Sequence, residues 1–587
     1  MTDPLLNAHD LPARWARRRR FVIVDTLFGD GRAFLAAWAA WRADPERCER
    51  LHFVSIGTLD TLDRVPVELA SIWPMRVTGM HRLELEAGRV VLTLAIGDPG
   101  EMLQKLWLRA DAFNLRVHAS DDPRPLCKAL ARIAGDNATV AADAHPLLQR
   151  ALEAAGFACD EPAPPLIKAR FAPRWRVRRH EPPLAAATPE RHAIVIGAGL
   201  AGCAVTSRLA ARGWRVTLID RNDGVARDAS GNPAGVFHPI VWRDDSPAAR
   251  LTRAGFLYAL RHWTALEDAG HELLRTRDGL LQIADSPEDA LAIADAIARF
   301  GLPASYAVAA TRADASRIAG VDVARGGWFF ARGGAISPAA VCAAQCAVAG
   351  NALTRIFSTQ IDRIQHDGHD WHAFDATGTL IAHAPVVVLA NAHDAMRLAH
   401  LHGQPTRGVR GQLTVLDPSP LGALRVPVIG DGYAVPLAPQ RTLTGATYDI
   451  DSTDRKVRSA GHRENLERLA RMLPSSNVEL NQHVDGRVAF RCVTSDRMPM
   501  IGQLADETAA RADAGRLSGA WPLDLPRAAG LYGAFAFGSR GLVWSALGAE
   551  LVASEIEGEP WPIERELAEA LDPARFLLRA LRHGEFK

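Results

Sequence analysis

The stretch RHAIVIGAGLAGCAVTSRLAARGWRVTLIDR, residues 191–221, constrains the fold of this chain more than any other. Ala193 to Ile196 reads as a buried strand. Gly197-Ala198-Gly199-Leu200-Ala201-Gly202 reads as a G-x-G-x-x-G turn opening a helix, and Arg215 to Ile219 as the next strand, ending in Asp220. Gly197 permits the tight turn, Gly199 lets the backbone approach a pyrophosphate, and Gly202 lets helix and strand pack closely, while the helix N-terminus faces the phosphate charge. Asp220 falls where an acidic side chain accepts hydrogen bonds from a ribose hydroxyl. Strand, turn, helix, strand and Asp together predict a Rossmann-type α/β domain that binds a dinucleotide.

Later segments select FAD over a nicotinamide cofactor. A second apolar strand, Pro385 to Ala390, runs into Asn391-Ala392-His393 long after a nicotinamide-binding domain is usually complete. LYGAFAFGSRGLVWSALGAELVA, residues 531–553, sets Gly538, Ser539, Arg540 and Gly541 just before an apolar helix. The N-terminus of that helix could stabilise the negative charge of a reduced flavin.

The 587-residue chain has three textures. Residues 1–160 offer a strand at Phe21 to Asp25, a helical LFGDGRAFLAAWAAW, a second strand at Leu51 to Ile56, and an alternating hairpin that turns at Gly88. Residues 161–190 hold seven prolines among many arginines and read as a linker with at most a short strand. Residues 191–587 return to an αβ pattern. No window is long and apolar enough for a membrane span. Cys342 and Cys346 lack partners at metal-site spacing, so no metal is expected. Seven scattered cysteines suit a reduced, cytoplasmic protein.

From residue 192 to about 555 the chain resembles the D-amino-acid-oxidase and glycine-oxidase class of FAD proteins. The motifs DASGNPAG (228–235), GGWFFARGGAISP (326–338), VVVLANAH (386–393), FRCVTSDRMPMIG (490–502) and FGSRGL (537–542) carry a more specific resemblance. It is to the bacterial bifunctional family of tRNA 5-methylaminomethyl-2-thiouridine biosynthesis, densely from residue 192 and patchily before it. The resemblance implies a methyltransferase-type Rossmann-like domain at 1–160, then an FAD-dependent oxidoreductase domain at 191–587. Stretches 240–330 and 400–490 would form an inserted antiparallel substrate-binding subdomain. The implied reaction converts 5-carboxymethylaminomethyl-(2-thio)uridine at the tRNA wobble position to 5-aminomethyl-(2-thio)uridine. Arg221, Ser230, Gly231, Asn232, Ala390, Gly538, Ser539, Arg540 and Gly541 would join Gly197, Gly199, Gly202 and Asp220 in holding FAD. An Arg fork suits a carboxylate through two parallel charge-assisted hydrogen bonds. Arg491 and Arg540 are therefore the candidates to grip the substrate carboxylate, with Arg497 as a third. Tyr433 is a candidate cover for the substrate, and His238 either neighbours the flavin or is structural.

The family's other half methylates the exposed amine with S-adenosylmethionine, and here the chain departs from its pattern. The family's E-x-G-F-G-x-G loop reads Asp25-Thr26-Leu27-Phe28-Gly29-Asp30-Gly31, with Leu27 at the first glycine. The Glu that ends the second strand and holds the cofactor ribose is replaced in Phe53-Val54-Ser55-Ile56-Gly57. The Asp-Gly-Phe core of the fourth-strand segment is absent from DAFNLRVHAS, residues 111–120, and the G-x-G-x-K-R element has become PLIKAR, residues 165–170. Asp98 remains as a residue to face the adenine. The expectation is a retained fold that does not hold S-adenosylmethionine. Two alternatives stay open: a fully bifunctional enzyme, and a free amino-acid or glycine oxidase.

A tRNA partner must be met locally, because 68 basic against 67 acidic residues leave a formal charge of only +1. Two clusters are candidates: ARWARRRR, residues 13–20, and Lys168, Arg170, Arg174, Arg176, Arg178 and Arg179 with Phe171 and Trp175 interleaved. Such arginines would hold phosphates and leave recognition to an extruded base.

Overall fold

The computed structural model describes residues 4–117, 121–143, 145, 147–160, 166–175, 185–186, 188, 190–401, 405–438, 440–476 and 484–584. The chain forms two units, Met1–Ala187 with Ser554–Glu569, and Thr188–Ala553 with Ala570–Lys587.

The first unit is built on one eight-stranded sheet. Its elements run α1 (Pro4–Ala8), β1 (Arg20–Asp25), α2 (Arg32–Ala43), β2 (Arg50–Gly57), β3 (Gly79–Leu85), β4 (Val90–Ile96), α3 (Pro99–Lys105), β5 (Ala110–Leu115), α4 (Arg124–Ile133), β6 (Ala134–Asp143), α5 (Leu148–Ala154), β7 (Phe157–Cys159) and β8 (Leu166–Phe171). The strand order is β3-β4-β2-β1-β5-β6-β8-β7. β1 pairs in parallel with β2 and β5, whereas β3–β4 is the antiparallel hairpin its alternation predicts. β1 and β2 are buried along nearly their whole length, as central parallel strands must be, with Asp25, Arg50 and His52 among the residues enclosed. Two cores result, one around Phe113, Leu130 and Phe157, the other around Trp15, Phe34 and Phe53.

Two expected boundaries move. Within the stretch 161–190, β8 is a full strand paired antiparallel with β6 and β7. Phe171 is buried against Phe157, with ring centroids 5.0 Å apart, so it is a core aromatic and not part of an exposed basic surface. Ser554–Glu569, expected inside the second domain, belongs to the first unit. Glu557 accepts through its backbone oxygen from Arg20 at 2.8 Å, Glu559 pairs with Arg50 at 3.0 Å, and Trp561 packs against Trp107.

The second unit carries the glycine motif. β9 (His192–Ile196), α6 (Leu200–Ala210) and β10 (Arg215–Ile219) form as their sequence requires. They belong to a six-stranded sheet in the order Leu353–Ile356, β10, β9, Val386–Leu389, Arg527–Phe535, Met500–Ala505. β9 has parallel neighbours on both sides, and its C-terminal end is the switch point at which such folds bind ligands. A nine-stranded sheet takes its strands from Leu280 to Phe330, with Val308–Ala310 at its edge, and from Thr406 to Thr494. It is mostly antiparallel, with one parallel pair where Leu281 and Gln282 meet Val428 and Ile429.

Candidate active site

A cavity of about 1110 Å³ opens at the C-terminal end of β9. Gly197, Gly199, Asp220, Arg221, Ser230, Asn232, Ala390, Gly538, Ser539, Arg540 and Gly541 all line it, together with Arg491, Tyr433 and His238. Gly197 has φ +106°, and a Cβ there would lie 2.6 Å from the Ala390 carbonyl oxygen. At Gly199 a Cβ would stand 3.0 Å from the Ser230 hydroxyl, which accepts from the Leu200 N–H at the start of α6. Asp220 Oδ2 accepts from the Ala198 N–H at 2.7 Å and so fixes the turn from the tip of β10. Arg221 pairs with Asp228 at 2.6 Å. Two predicted residues sit behind the cavity wall. Gly202 gives α6 its close approach to the Gly197 carbonyl, while Gly231 leaves room for the Arg487 guanidinium, which would be 2.5 Å from a Cβ there.

The residues present fit FAD. Asn232 and Asn391 line the cavity, and their side-chain oxygens are buried without a hydrogen-bond partner among the described residues, which leaves two acceptors beside the cradle for donors of a dinucleotide. Gly538 (φ +56°) turns the chain into helix Gly541–Glu557, whose N-terminus faces the cavity.

Two arginines make part of the cavity wall cationic. The Arg491 guanidinium lies on Gly411, where a Cβ would be 2.8 Å from Nη2, and among the described residues donates one long bond, 3.4 Å to the Thr447 carbonyl. Burial lowers the pKa of Arg491 and pulls that of Arg540 down to about 10. Neither has a carboxylate partner among the described residues. Burial raises the Tyr433 hydroxyl to about 12, so it stays neutral. Burial, then the nearby Arg540 charge, pushes His238 down to about 3, and its Nδ1 meets the Pro239 carbonyl at 2.9 Å. A neutral imidazole there cannot serve as an acid. Arg497 is exposed in a turn and does not line the cavity. Tyr448 and Arg455 do line it, although their sequence neighbourhood gave no motif.

At the equivalent switch point of the first unit, between the ends of β1 and β5, the residues present do not fit S-adenosylmethionine. A Cβ at Gly57 would lie 2.5 Å from Thr61 Oγ1, so the space for a ribose-binding acid is filled. That Thr61 hydroxyl accepts from the Thr58 N–H at 3.1 Å. Asp98, expected to face an adenine, caps α3 by accepting from the Glu101 N–H at 2.9 Å. Asn114 is buried and held by His9 Nε2 at 2.9 Å, and Phe28 packs over Gly31 against Trp73. Residues 118–120 of the fourth-strand segment lie outside the described residues, as does residue 165.

The basic clusters fare differently. Arg17 pairs with Glu46, Arg18 with Asp111 and Arg19 with Glu557, while Arg14 and Arg20 donate to Thr139 and the Glu557 backbone. Each of these arginines thus has a partner within its own unit, while Arg17, Arg18 and Arg19 stay exposed. Arg176, Arg178 and Arg179 of the second cluster lie outside the described residues, whereas Trp175 beside them is half exposed. Among the described residues no group of side chains could hold a metal, and no helix is long and apolar enough to cross a membrane.

Residues 192–555 match the family described as FAD dependent oxidoreductase. Glycine oxidase from Geobacillus kaustophilus has the same fold over 63% of this chain and 95% of its own, with TM-score 0.51 and 22% identity. L-proline dehydrogenase from P. horikoshii covers 66% of this chain and 99% of its own, with TM-score 0.54 and 18% identity. Cradle, fold and family match define an FAD-dependent oxidoreductase, with FAD as its cofactor. The chain is 57% identical to the tRNA 5-methylaminomethyl-2-thiouridine biosynthesis bifunctional protein MnmC of Paraburkholderia phymatum, over 99% of this chain and 93% of that one. Identity to the protein of that name from Burkholderia pseudomallei is 53%, with the same coverage. The chain belongs to the MnmC family.

Proposed function

We propose that the second unit oxidises the carboxymethylaminomethyl group of a tRNA wobble uridine and releases the aminomethyl nucleoside. One observation carries this reading: Arg491 and Arg540 bring two half-buried guanidinium groups, with no carboxylate partner among the described residues, into the same cavity as the dinucleotide cradle. FAD supplies a two-electron acceptor for a hydride from the carbon between amine and carboxylate. Water then opens the resulting imine to a primary amine and glyoxylate. The protein's part is positional and electrostatic. The two arginines clamp the carboxylate, their charge disfavours protonation of the neighbouring amine, and Tyr433 offers a neutral hydroxyl beside Arg491. A cytoplasmic location accords with a tRNA substrate and with seven cysteines present as thiols.

The test is anaerobic flavin reduction by tRNA bearing 5-carboxymethylaminomethyl-uridine, followed by nucleoside mass spectrometry. Bleaching of the flavin with formation of glyoxylate and the aminomethyl nucleoside is expected. Bleaching by free glycine but not by the modified tRNA would instead identify a free amino-acid oxidase.

A further inference from the structure

We infer that the rim of the flavin cavity is an RNA-reading surface, on which Tyr448 stacks the wobble uracil while Arg455 and Lys456 hold the adjoining phosphates. This rests on the proposed oxidation of a tRNA nucleotide and names the groups that select it over a free amino acid.

Tyr448 lines the cavity and is nevertheless 46% exposed, and its ring centroid lies 6.0 Å from the Arg491 guanidinium carbon. The substrate arm from uracil C5 to the carboxylate carbon spans four single bonds, about 5 Å when extended. A base stacked on Tyr448 can therefore deliver its carboxylate to Arg491. The platform is braced from both sides. Thr447 Oγ1 accepts from the Gln412 N–H at 3.0 Å, and the Asp449 carboxylate is held by the buried Arg410 at 2.9 Å.

The same Arg410 shapes the basic loop. Its Nε donates to the Asp454 carbonyl at 2.8 Å and its Nη2 to the Lys456 carbonyl at 2.6 Å. The Asp454 carboxylate is occupied by Arg458 at 2.7 Å. Arg455 and Lys456 are exposed, and neither has a carboxylate partner among the described residues. Arg455 also lies 5.6 Å over Phe490, which lines the cavity. An exposed aromatic plane flanked by free cations at the mouth of a carboxylate-binding pocket has the chemistry of a single-stranded nucleotide site. A free amino acid would use neither the plane nor the cations.

The experiment uses the full-length, FAD-loaded protein and a labelled anticodon stem-loop carrying 5-carboxymethylaminomethyl-uridine. Fluorescence anisotropy is recorded across a salt series for wild type and for the double variant Arg455→Gln, Lys456→Gln. Removing two phosphate contacts should weaken binding and lower the slope of log affinity against log salt by about 1.4, at about 0.7 per single-strand contact. Flavin reduction by the free modified nucleoside is then compared for wild type, Tyr448→Ala and Tyr448→Phe. The alanine variant should lose about tenfold in kcat/KM and the phenylalanine variant should recover it, because any aromatic face stacks. An unchanged salt slope in the double variant, or equal kcat/KM in Tyr448→Ala and wild type, would overturn the inference. If the slope changes as stated but wild-type flavin is not reduced by the stem-loop, the oxidation reading falls while the RNA surface stands.

Discussion

Gly199 and Arg491 show two ways in which one residue sets this site. At Gly199 the constraint is space: a larger side chain must enter the gap to the Ser230 hydroxyl, 3.0 Å from the Cβ position, where the pyrophosphate is to lie. Gly199→Val is expected to give folded but colourless protein, judged by circular dichroism and by loss of the flavin absorbance band. Full flavin occupancy in this variant would show that the turn is not the pyrophosphate site. At Arg491 the constraint is charge. Arg491→Ala should retain FAD yet lose about 2–5 kcal/mol of substrate interaction, at least 30-fold in kcat/KM for flavin reduction by the modified tRNA. Arg491→Lys should recover only part of this, since a point charge lacks the planar fork. Wild-type rates in Arg491→Ala and in Arg540→Ala would place the carboxylate grip elsewhere.

In the first unit the strands keep the architecture of a methyltransferase while their ends have been rebuilt. β1, β2 and β5 hold their parallel pairing, so the sheet and its two cores do not depend on a ligand. Near the C-terminal ends of the strands, Thr61 fills the space beside Gly57, Asp98 after β4 caps α3, and Asn114 within β5 bonds to His9. Losing the ribose contacts costs on the order of 2–3 kcal/mol, since a hydrogen bond to a charged group is worth about 1.5–3. Calorimetry is therefore expected to show no S-adenosylmethionine binding at tens of micromolar, and incubation with modified tRNA and this cofactor should stop at the primary amine. A methylaminomethyl product at catalytic turnover would refute this. Gly57→Glu alone should not restore binding, because Thr61 already occupies the side-chain position.

On the scale of the whole molecule, three buried histidines make both units sensitive to acid. Burial lowers His9 and His52 to about 4 in the first unit and His238 to about 3 in the second. In the unfolded chain these groups titrate near 6.5, so between that pH and about 4 the unfolded state binds more protons. Their contribution to stability is complete above pH 6.5 and is lost as pH falls toward 4, on the order of 3 kcal/mol per histidine. Thermal midpoints measured from pH 7.5 to 4.5 should fall steadily below 6.5, and His52→Asn should flatten the fall for the first unit. A flat profile would mean that these rings are already protonated or solvated in the folded protein. The phosphate-binding turn was legible because its demands are local: a tight turn, a close backbone approach and a helix start are all written in consecutive residues 197–202. The loss of the acid at Gly57 was legible for the same reason, whereas its filling by Thr61 was not. Sequence also could not separate Arg491 from Arg497. One lies in the strand Val484–Thr494 with its side chain over Gly411, and the other follows in a turn with φ +61°. The ion pairs of Arg17, Arg18 and Arg19 were not legible because Glu46, Asp111 and Glu557 are distant in the chain. Tyr448 and the Arg455 loop reach the cavity mouth only through strand pairing with Thr406–Leu416 and the reach of Arg410. Thus the sequence by itself determined the cofactor and the class of fold, because a nucleotide cradle is built from contiguous backbone. Tertiary structure decided which charges lack a partner and which of them line the cavity, because those depend on groups that only folding brings together.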